Sequence, residues 1–398
     1  MVSALADLKC LQKVLVLLAI VRAEALVYGM PVLLLWIAAP ELAHWLSEPS
    51  KSLEPETLGQ KEQRELRELA FRTWHFFEVH VNPNNHWLPP DNYQESPRGE
   101  IAQRTSPTNI AMMFLSTLVA RELGFIGTTA FVHRLQYSME TLKHMPRHRG
   151  HILNWVDTST LEPLEPRYVS TVDSGNLAGA LITLRQACLA LGSEQYLCDA
   201  QWQGLCNLLG LLEKAVANLL EHTGVDDPGT IAAIHEMRVM IEQRDCSNLG
   251  HVALITRLRQ FECKALEQSL LGLLHDVRCD VALADLEEIE TWSNDLYGHL
   301  EAMYLEVETC FPWLLFLQAS PGSDIAREHS IMEQVWRKLR EIAQAPSRLS
   351  NVEQTVDRLR RVLHEFSDKW SGDPSPHRES WLQEFEQRLN DGMSASMA

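Results

Sequence analysis

Apolar residues recur at three- and four-residue intervals over most of the chain, a period that predicts amphipathic helices. From Lys61 onward, Leu66, Leu69, Ala70, Thr73, Trp74 and Phe77 share one face, and Asn82 with Pro83 end that helix. Ser106 followed by Pro107 starts the next, which Gly124 stops. A third is expected over about residues 129–145, and a fourth over 174–191, stopped by Gly192. Residues 193–345 are almost wholly helical in pattern. The clearest example is the seam Leu286, Ile289, Trp292, Leu296, Leu300, Met303, Val307, Cys310 and Leu314. Two last helices, about 351–370 and 379–390, repeat such a seam with Val352, Val356, Leu359, Leu363, Phe366 and Trp370, and the tail from Gly392 is expected to fray.

The N-terminus follows a different pattern. Residues 14–21 are apolar but too short to span a bilayer alone, and Arg22 and Glu24 separate them from a second apolar run, 25–40, that continues to Leu46. With Glu41 and His44 at the interface this run reaches about twenty residues, roughly what a hydrocarbon core requires. The expectation is one transmembrane helix or two over residues 1–48, against a buried core helix as the alternative. A signal peptide fits less well, because no small-residue cleavage site follows. Lys9, Lys13 and Arg22 precede the run and Glu41, Glu48 and Glu54 follow it, so the positive-inside rule alone would place the rest outside. A polar linker with two prolines occupies 47–60.

The helical period fails in two places. Residues 84–104 carry Trp87, Pro89, Pro90, Asp91, Asn92, Gln94 and Arg104, a composition either of a functional loop or of a proline and aromatic lasso. Asn109 follows in the first turn of the next helix, where free backbone N–H groups gather. The second place is residues 150–179, GHILNWVDTSTLEPLEPRYVSTVDSGNLAG. Pro163 and Pro166 keep its first half out of helix, an extended run is expected over 168–172, and Asp173 opens the next helix. Asn154, Trp155, Asp157, Asp173 and Asn176 sit there among helical glycines Gly175 and Gly179, which suggest close packing or a close ligand. Together these residues have the chemistry of a sugar site, with a planar ring for the apolar sugar face and carboxylates or amides for hydroxyls. Each alone is equally explained by a turn, or by Asp173 or Ser174 capping a helix. The loops all precede helix N-termini, so they can share one rim of a helical array.

Composition narrows the classes. A formal net charge of −18 with 35 Lys plus Arg excludes nucleic acid as a ligand. The eight cysteines form no CxxC pair and read as buried thiols in a reducing compartment. His75, His80 and His86 are too irregularly spaced for a metal set, and no metal site is expected. The eight acids between 282 and 310, with no Lys or Arg among them, read as a solvated face, and paired acids such as Glu287 and Glu288 are ordinary on helix surfaces. No P-loop, GxGxxG, HExxH or GxSxG motif is present.

The 150–179 stretch resembles the middle region of cyclic β-1,2-glucan synthases, enzymes once grouped with family 36 glycosyltransferases. RTWHFFEVHVNPNNHWLPPDNYQE from Arg72 and RTSPTNIAMMFLSTLVARELGFIG from Arg104 resemble the same family in the same order. The resemblance covers about residues 66–191; beyond it only a helical pattern is apparent. It implies an all-α chain, with the N-terminal transmembrane helix or helices in 1–48, the first part of an (α/α)6 glucan cyclisation domain in 49–192, and a helical extension or bundle in 193–398. In the family, chain growth uses UDP-glucose as donor and a transglycosylating domain closes the ring, a retaining reaction that needs two carboxylates. The resemblance places those glutamates beyond this chain and implies no cofactor in this region. The motifs match the family, and side-chain chemistry points to glucan contacts at Trp87, Asp91, Asn92, Gln94, Arg104, Asn109, Asn154, Trp155, Asp157, Asp173 and Asn176, with Asp157 and Asp173 as the carboxylates to test for acid or base chemistry. Expected partners are β-1,2-glucan, the membrane and the remaining synthase segments as separate chains. The expected location is the bacterial inner membrane with the globular part in the cytoplasm. A membrane-tethered helical interaction module is the alternative.

Overall fold

The computed structural model describes residues 23–47, 58–196, 199–276, 283–319, 330–345, 348–367 and 376–397, in two compact units, 1–61 and 62–398. The first unit holds α1 (Ala23–Ser47). Among the described residues no helix is long and apolar enough to cross a membrane. The span expected over 25–40 is therefore not met by α1. The shorter run at 14–21 and most of the linker lie outside the described residues.

Among its described residues the second unit is helical with three small antiparallel sheets. Helix α2 (Gln60–His80) buries Phe71 and Trp74. It gives way to a short 3-10 turn, Pro83–Asn85, which Asn82 and Asn85 close by exchanging side-chain and backbone hydrogen bonds. The expected irregular stretch then folds as a hairpin of β1 (Tyr93–Gln94) and β2 (Glu100–Ile101). Next come β3 (Arg104–Thr105), α3 (Pro107–Glu122) and α4 (Thr128–His144). Ser106 caps α3, its hydroxyl accepting from the Asn109 N–H at 3.2 Å.

A hairpin, β4 (Arg147–His148) with β5 (His151–Ile152), precedes β6 (Asn154–Asp157) and β7 (Pro163–Tyr168). Strands β3, β6 and β7 form one sheet with β6 in the centre. Helix α5 (Thr171–Leu191) follows, and here the sequence expectation shifts. Ser170 is the cap, accepting from the Asp173 N–H, so Thr171 and Val172 are already helical and the extended run stops short of them. A Cβ at Gly175 or Gly179 would meet nothing within 4 Å, so neither glycine marks close packing.

The remaining helices are α6 (Asp199–Thr223), α7 (Pro228–Glu242), α8 (Asn248–Arg257), α9 (Cys263–Asp276), α10 (Leu283–Cys310), α11 (Pro312–Gln318), α12 (Ser330–Ala343), α13 (Val352–Ser367) and α14 (Pro376–Met397). The long seam is buried from Ile289 to Cys310, and after a break at Pro312 it continues in α11 with Leu314. Val352, Val356, Leu359 and Leu363 are buried as expected; Trp370 lies outside the described residues. The tail does not fray at Gly392: α14 continues to Met397. Gly392 packs where a Cβ would lie 2.4 Å from the Trp313 ring, which ties the last helix to the α10–α11 corner.

One core takes in residues on both sides of position 192. Its joint is the turn between α3 and α4. His299 of α10 lies between the carbonyls of Phe125 and Gln201, at 3.2 and 3.1 Å. Glu306, only 3% exposed, accepts from the Thr129 N–H at 2.7 Å and from the Gln201 amide at 2.6 Å. The acidic stretch of α10 is thus not wholly a solvated face. Glu306 points inward beside Met303 and Val307, and Asp295 is half-buried beside Leu296.

The thiols also divide. Cys263 and Cys310 are buried and Cys206 is half-buried, but Cys188 on the outer side of α5 and Cys246 in the α7–α8 turn are exposed. All five are unpaired, and Cys10, Cys198 and Cys279 lie outside the described residues.

Candidate functional site

The two irregular stretches meet at the starts of α3 and α5. The β1–β2 hairpin folds the loop back, with the Asp91 N–H donating to the Ala102 carbonyl at 3.2 Å and the Ala102 N–H to that of Asn92 at 3.0 Å. This brings Arg104 against Asp91. Its Nε and Nη2 donate to Asp91 Oδ2 at 3.1 and 2.9 Å, Asn92 Nδ2 donates to the same oxygen at 3.1 Å, and Asn109 Nδ2 donates to Oδ1 at 3.2 Å. With four donors on two oxygens, Asp91 is an anchor that orients its neighbours, and charge-assisted bonds of this kind are the strong ones.

Pairing of β3 with β6 sets Arg104 opposite Asp157, and the Arg104 guanidinium lies 5.0 Å from the centre of the Trp155 ring. The Arg104 side chain is still 48% exposed, so the anchored guanidinium keeps contact with solvent.

Thr108 joins this group to α5. Its hydroxyl accepts from Asn176 Nδ2 at 3.0 Å, and it lies beside Asp173, whose carboxyl it influences. Burial raises the Asp173 pKa, but the neighbouring donors of Ser170 and Thr108 outweigh it and hold the carboxyl below its ordinary range. Asp173 is therefore a carboxylate at neutral pH, suited to accept a hydroxyl proton in a hydrogen bond and unsuited to act as a general acid.

Asp157 has a different occupation. Its Oδ1 accepts from the Ser159 N–H at 2.8 Å, the Thr160 N–H at 2.9 Å and the Thr160 hydroxyl at 3.2 Å, which closes the turn between β6 and β7. Asp157→Ala is accordingly expected to lower unfolding free energy by about 1–2 kcal/mol in a urea titration, the usual cost of such a cap.

Of the other expected contacts, Asn154 is buried next to Trp155. Its Nδ2 donates to the Tyr168 hydroxyl at 3.1 Å, while its Oδ1 is buried without a hydrogen-bond partner among the described residues. Trp87 and Gln94 are not joined to the group by these bonds. The Trp87 ring stacks on Tyr137 at 4.8 Å and 16°, which packs the loop onto α4, and Gln94 is an exposed residue of the β1–β2 hairpin. Thr108 and Ser170 were not anticipated from sequence. The signal available was a hydroxyl in or just before the first helical turn, one residue from Asn109 and three from Asp173.

The result is a short row of polar groups, Arg104, Asn109, Asn176 and Asp173, beside a half-buried indole, all on helix starts and strand ends that fix one another. Such a row can hold a hydroxyl-rich ligand.

No protein-family model matches the chain. It is 34% identical over 280 residues to the cyclic β-(1,2)-glucan synthase NdvB of Rhizobium meliloti (strain 1021), a match that takes in 69% of this chain and 10% of that protein. The chain thus spans about a tenth of its curated relative. A match of this length exceeds everything from Met1 to Leu191, so the relatedness does not stop where the recognisable motifs do: it continues into the helices beyond Leu191. The protein therefore contains a region related to the cyclic β-(1,2)-glucan synthases.

Proposed function

We propose that this chain is the part of a cyclic β-1,2-glucan synthase that lines the glucan cleft of the cyclisation domain, and that its helices contribute to an (α/α)6 barrel. The observation that supports this reading is the gathering of two hydrogen-bonded groups, Asp91 with Arg104 and Asn109, and Thr108 with Asn176, beside Asp173, assembled from three separate sequence motifs. In this reading Trp155 offers its ring to a sugar face, Arg104 and the two asparagines take hydroxyls, and Asp173 accepts from one. The row binds and orients glucan; bond making belongs to carboxylates outside it. UDP-glucose as the donor of the growing chain, a bacterial inner-membrane location and a cytoplasmic globular part belong to the same proposal and rest on the family resemblance.

Titration calorimetry with β-1,2-linked gluco-oligosaccharides tests it. Arg104→Ala and Trp155→Ala are each expected to weaken binding about 10–100-fold, the cost of about 1.5–3 kcal/mol for a charged hydrogen bond or a stacking surface. Binding that is absent from the unmutated chain, or unchanged in both variants, would remove the cleft assignment.

A second reading, a helical interaction module, is favoured by one feature. The outer side of α5 exposes Val172, Ile182 and Leu189, and α3 exposes Met112 and Val119. Capture of another synthase segment that is lost in Ile182→Glu but indifferent to Arg104→Ala would support that reading.

A further inference from the structure

Away from the sugar-facing row, His75 and Glu78 lie one turn apart on α2 and face Asp295 of α10. One ligand atom from each, the imidazole Nδ1 and two carboxylate oxygens, lies within 4.8 Å of the others. His75 Nδ1 is 3.5 Å from Asp295 Oδ2 and 3.9 Å from Glu78 Oε2. These separations are long for hydrogen bonds between charged partners, which close to about 2.7–2.9 Å. They match the spacing of neighbouring ligands around a metal whose bonds are about 2.0–2.2 Å. His75 Nδ1 and Asp295 Oδ2 are both shielded from solvent without a hydrogen-bond partner among the described residues, and a buried orphan of this kind calls for a water or an ion.

The surroundings are built to hold the three groups still. The His75 ring packs on Trp292 at 5.4 Å and on Phe71 at 6.5 Å, an apolar wall that excludes competing water. On the other side a cavity of about 190 Å³ is lined by Glu78, Asp295, Arg134 and His299, with room for water to complete a coordination sphere. The charged and titratable neighbours are Arg72 and His80 on α2, Arg134 on α4, and Glu288 and His299 on α10. Arg72 turns to Glu288 at 3.6 Å and to the Trp292 ring at 5.3 Å, while Arg134 lies 5.1 Å from the Trp74 ring and shares the cavity with Glu78, whose charge acts on it.

We propose that His75, Glu78 and Asp295 form a binding site for a divalent transition-metal ion of the Zn²⁺ class, with water in the remaining positions, which fastens α2 to α10. One imidazole with two carboxylates suits such an ion better than Mg²⁺ or Ca²⁺, which prefer oxygen ligands alone.

The test uses the full chain, stripped with a chelator and titrated with ZnCl₂ by calorimetry, and with Co²⁺ by visible absorption. One equivalent is expected to bind, with a Co²⁺ d–d band. Asp295→Asn and Glu78→Gln, which keep side-chain volume, are each expected to weaken binding about 100-fold or more, since even outer-shell changes cost 10–100-fold. Circular dichroism confirms that both variants fold. His148 and His151 pair across the β4–β5 hairpin and are exposed, so they are the competing surface site. Binding lost in His148→Ala/His151→Ala and kept in Asp295→Asn would overturn the proposal, as would no binding at all.

Discussion

Gly124→Ala is expected to lower the unfolding free energy by about 4 kcal/mol or more, enough to abolish a cooperative urea transition in a domain of ordinary stability. Two costs combine. Gly124 has φ +74°, where a residue with a Cβ is strained by about 1–2 kcal/mol. A Cβ there would also lie 1.9 Å from the Ala200 carbonyl oxygen and 2.6 Å from the Gln201 nitrogen, and backbone cannot swing aside as a long side chain can. Gly204 faces the same contact from α6, its added Cβ falling 2.0 Å from the Gly124 carbonyl oxygen. The α3–α4 turn and α6 therefore touch backbone to backbone. Pushing them apart would pull Phe125 and Gln201 off His299, so the damage spreads from one methyl group to the joint of the whole core. Gly175→Ala is the control. It sits in the helix interior with open space around it, and is expected to gain up to about 1 kcal/mol. A Gly124→Ala protein within about 1 kcal/mol of the parent would mean that the close approach relaxes at little cost and the joint is not where the fold is held.

That joint was not legible in the sequence. Gly124 was, but only as a helix stop; its partner Gly204 is one small residue inside a helical pattern, and nothing local says that the two meet. The helices themselves were legible because burial follows their period. Ile289, Trp292, Leu296, Leu300, Met303 and Val307 are buried in the order in which they were spaced. Glu306 and Asp295 escaped the same logic. They stand beside the seam, at phases where an acid on the inner edge and an acid in water look identical in sequence.

The sugar-facing row was half legible for a similar reason. Asp91, Arg104, Asn109, Asp173 and Asn176 stood out because they interrupt the helical pattern at helix starts. What joins them depends on a hairpin of two-residue strands, too short to show alternation, and on hydroxyls, Thr108 and Ser170, that any helix start can carry. The role of Asp157 was readable only as an alternative, since a turn-holding aspartate and a ligand-holding one occupy the same kind of loop.

Glu306→Ala is expected to cost about 3–5 kcal/mol, and Glu306→Gln about 1 kcal/mol or less, although both remove the same charge. Alanine leaves the Thr129 N–H at the start of α4 and the Gln201 amide without a partner, inside a cavity closed over by α6 and α10. Glutamine keeps an oxygen for Thr129. Its new NH₂ can donate to Gln201 once that amide turns over, because Gln201 Oε1 is buried and at present without a hydrogen-bond partner. The same rearrangement explains how the protein tolerates a protonated Glu306. Burial raises its pKa above the unfolded value, with the bonds from Thr129 and Gln201 acting in the opposite direction. A raised carboxyl pKa contributes stability that is fully present below the unfolded value, about 4.3, and is lost as pH rises through the folded one. Urea unfolding at about pH 4.5, 6 and 7.5 should therefore show the parent losing stability relative to Glu306→Gln as pH rises. Asp295, also raised, acts equally in both proteins and cancels in that difference. A flat difference would mean that Glu306 is ionised throughout and held as an anion by its donors; equal losses in the alanine and glutamine variants would mean that the charge, and not the hydrogen bonds across the joint, is what the core needs.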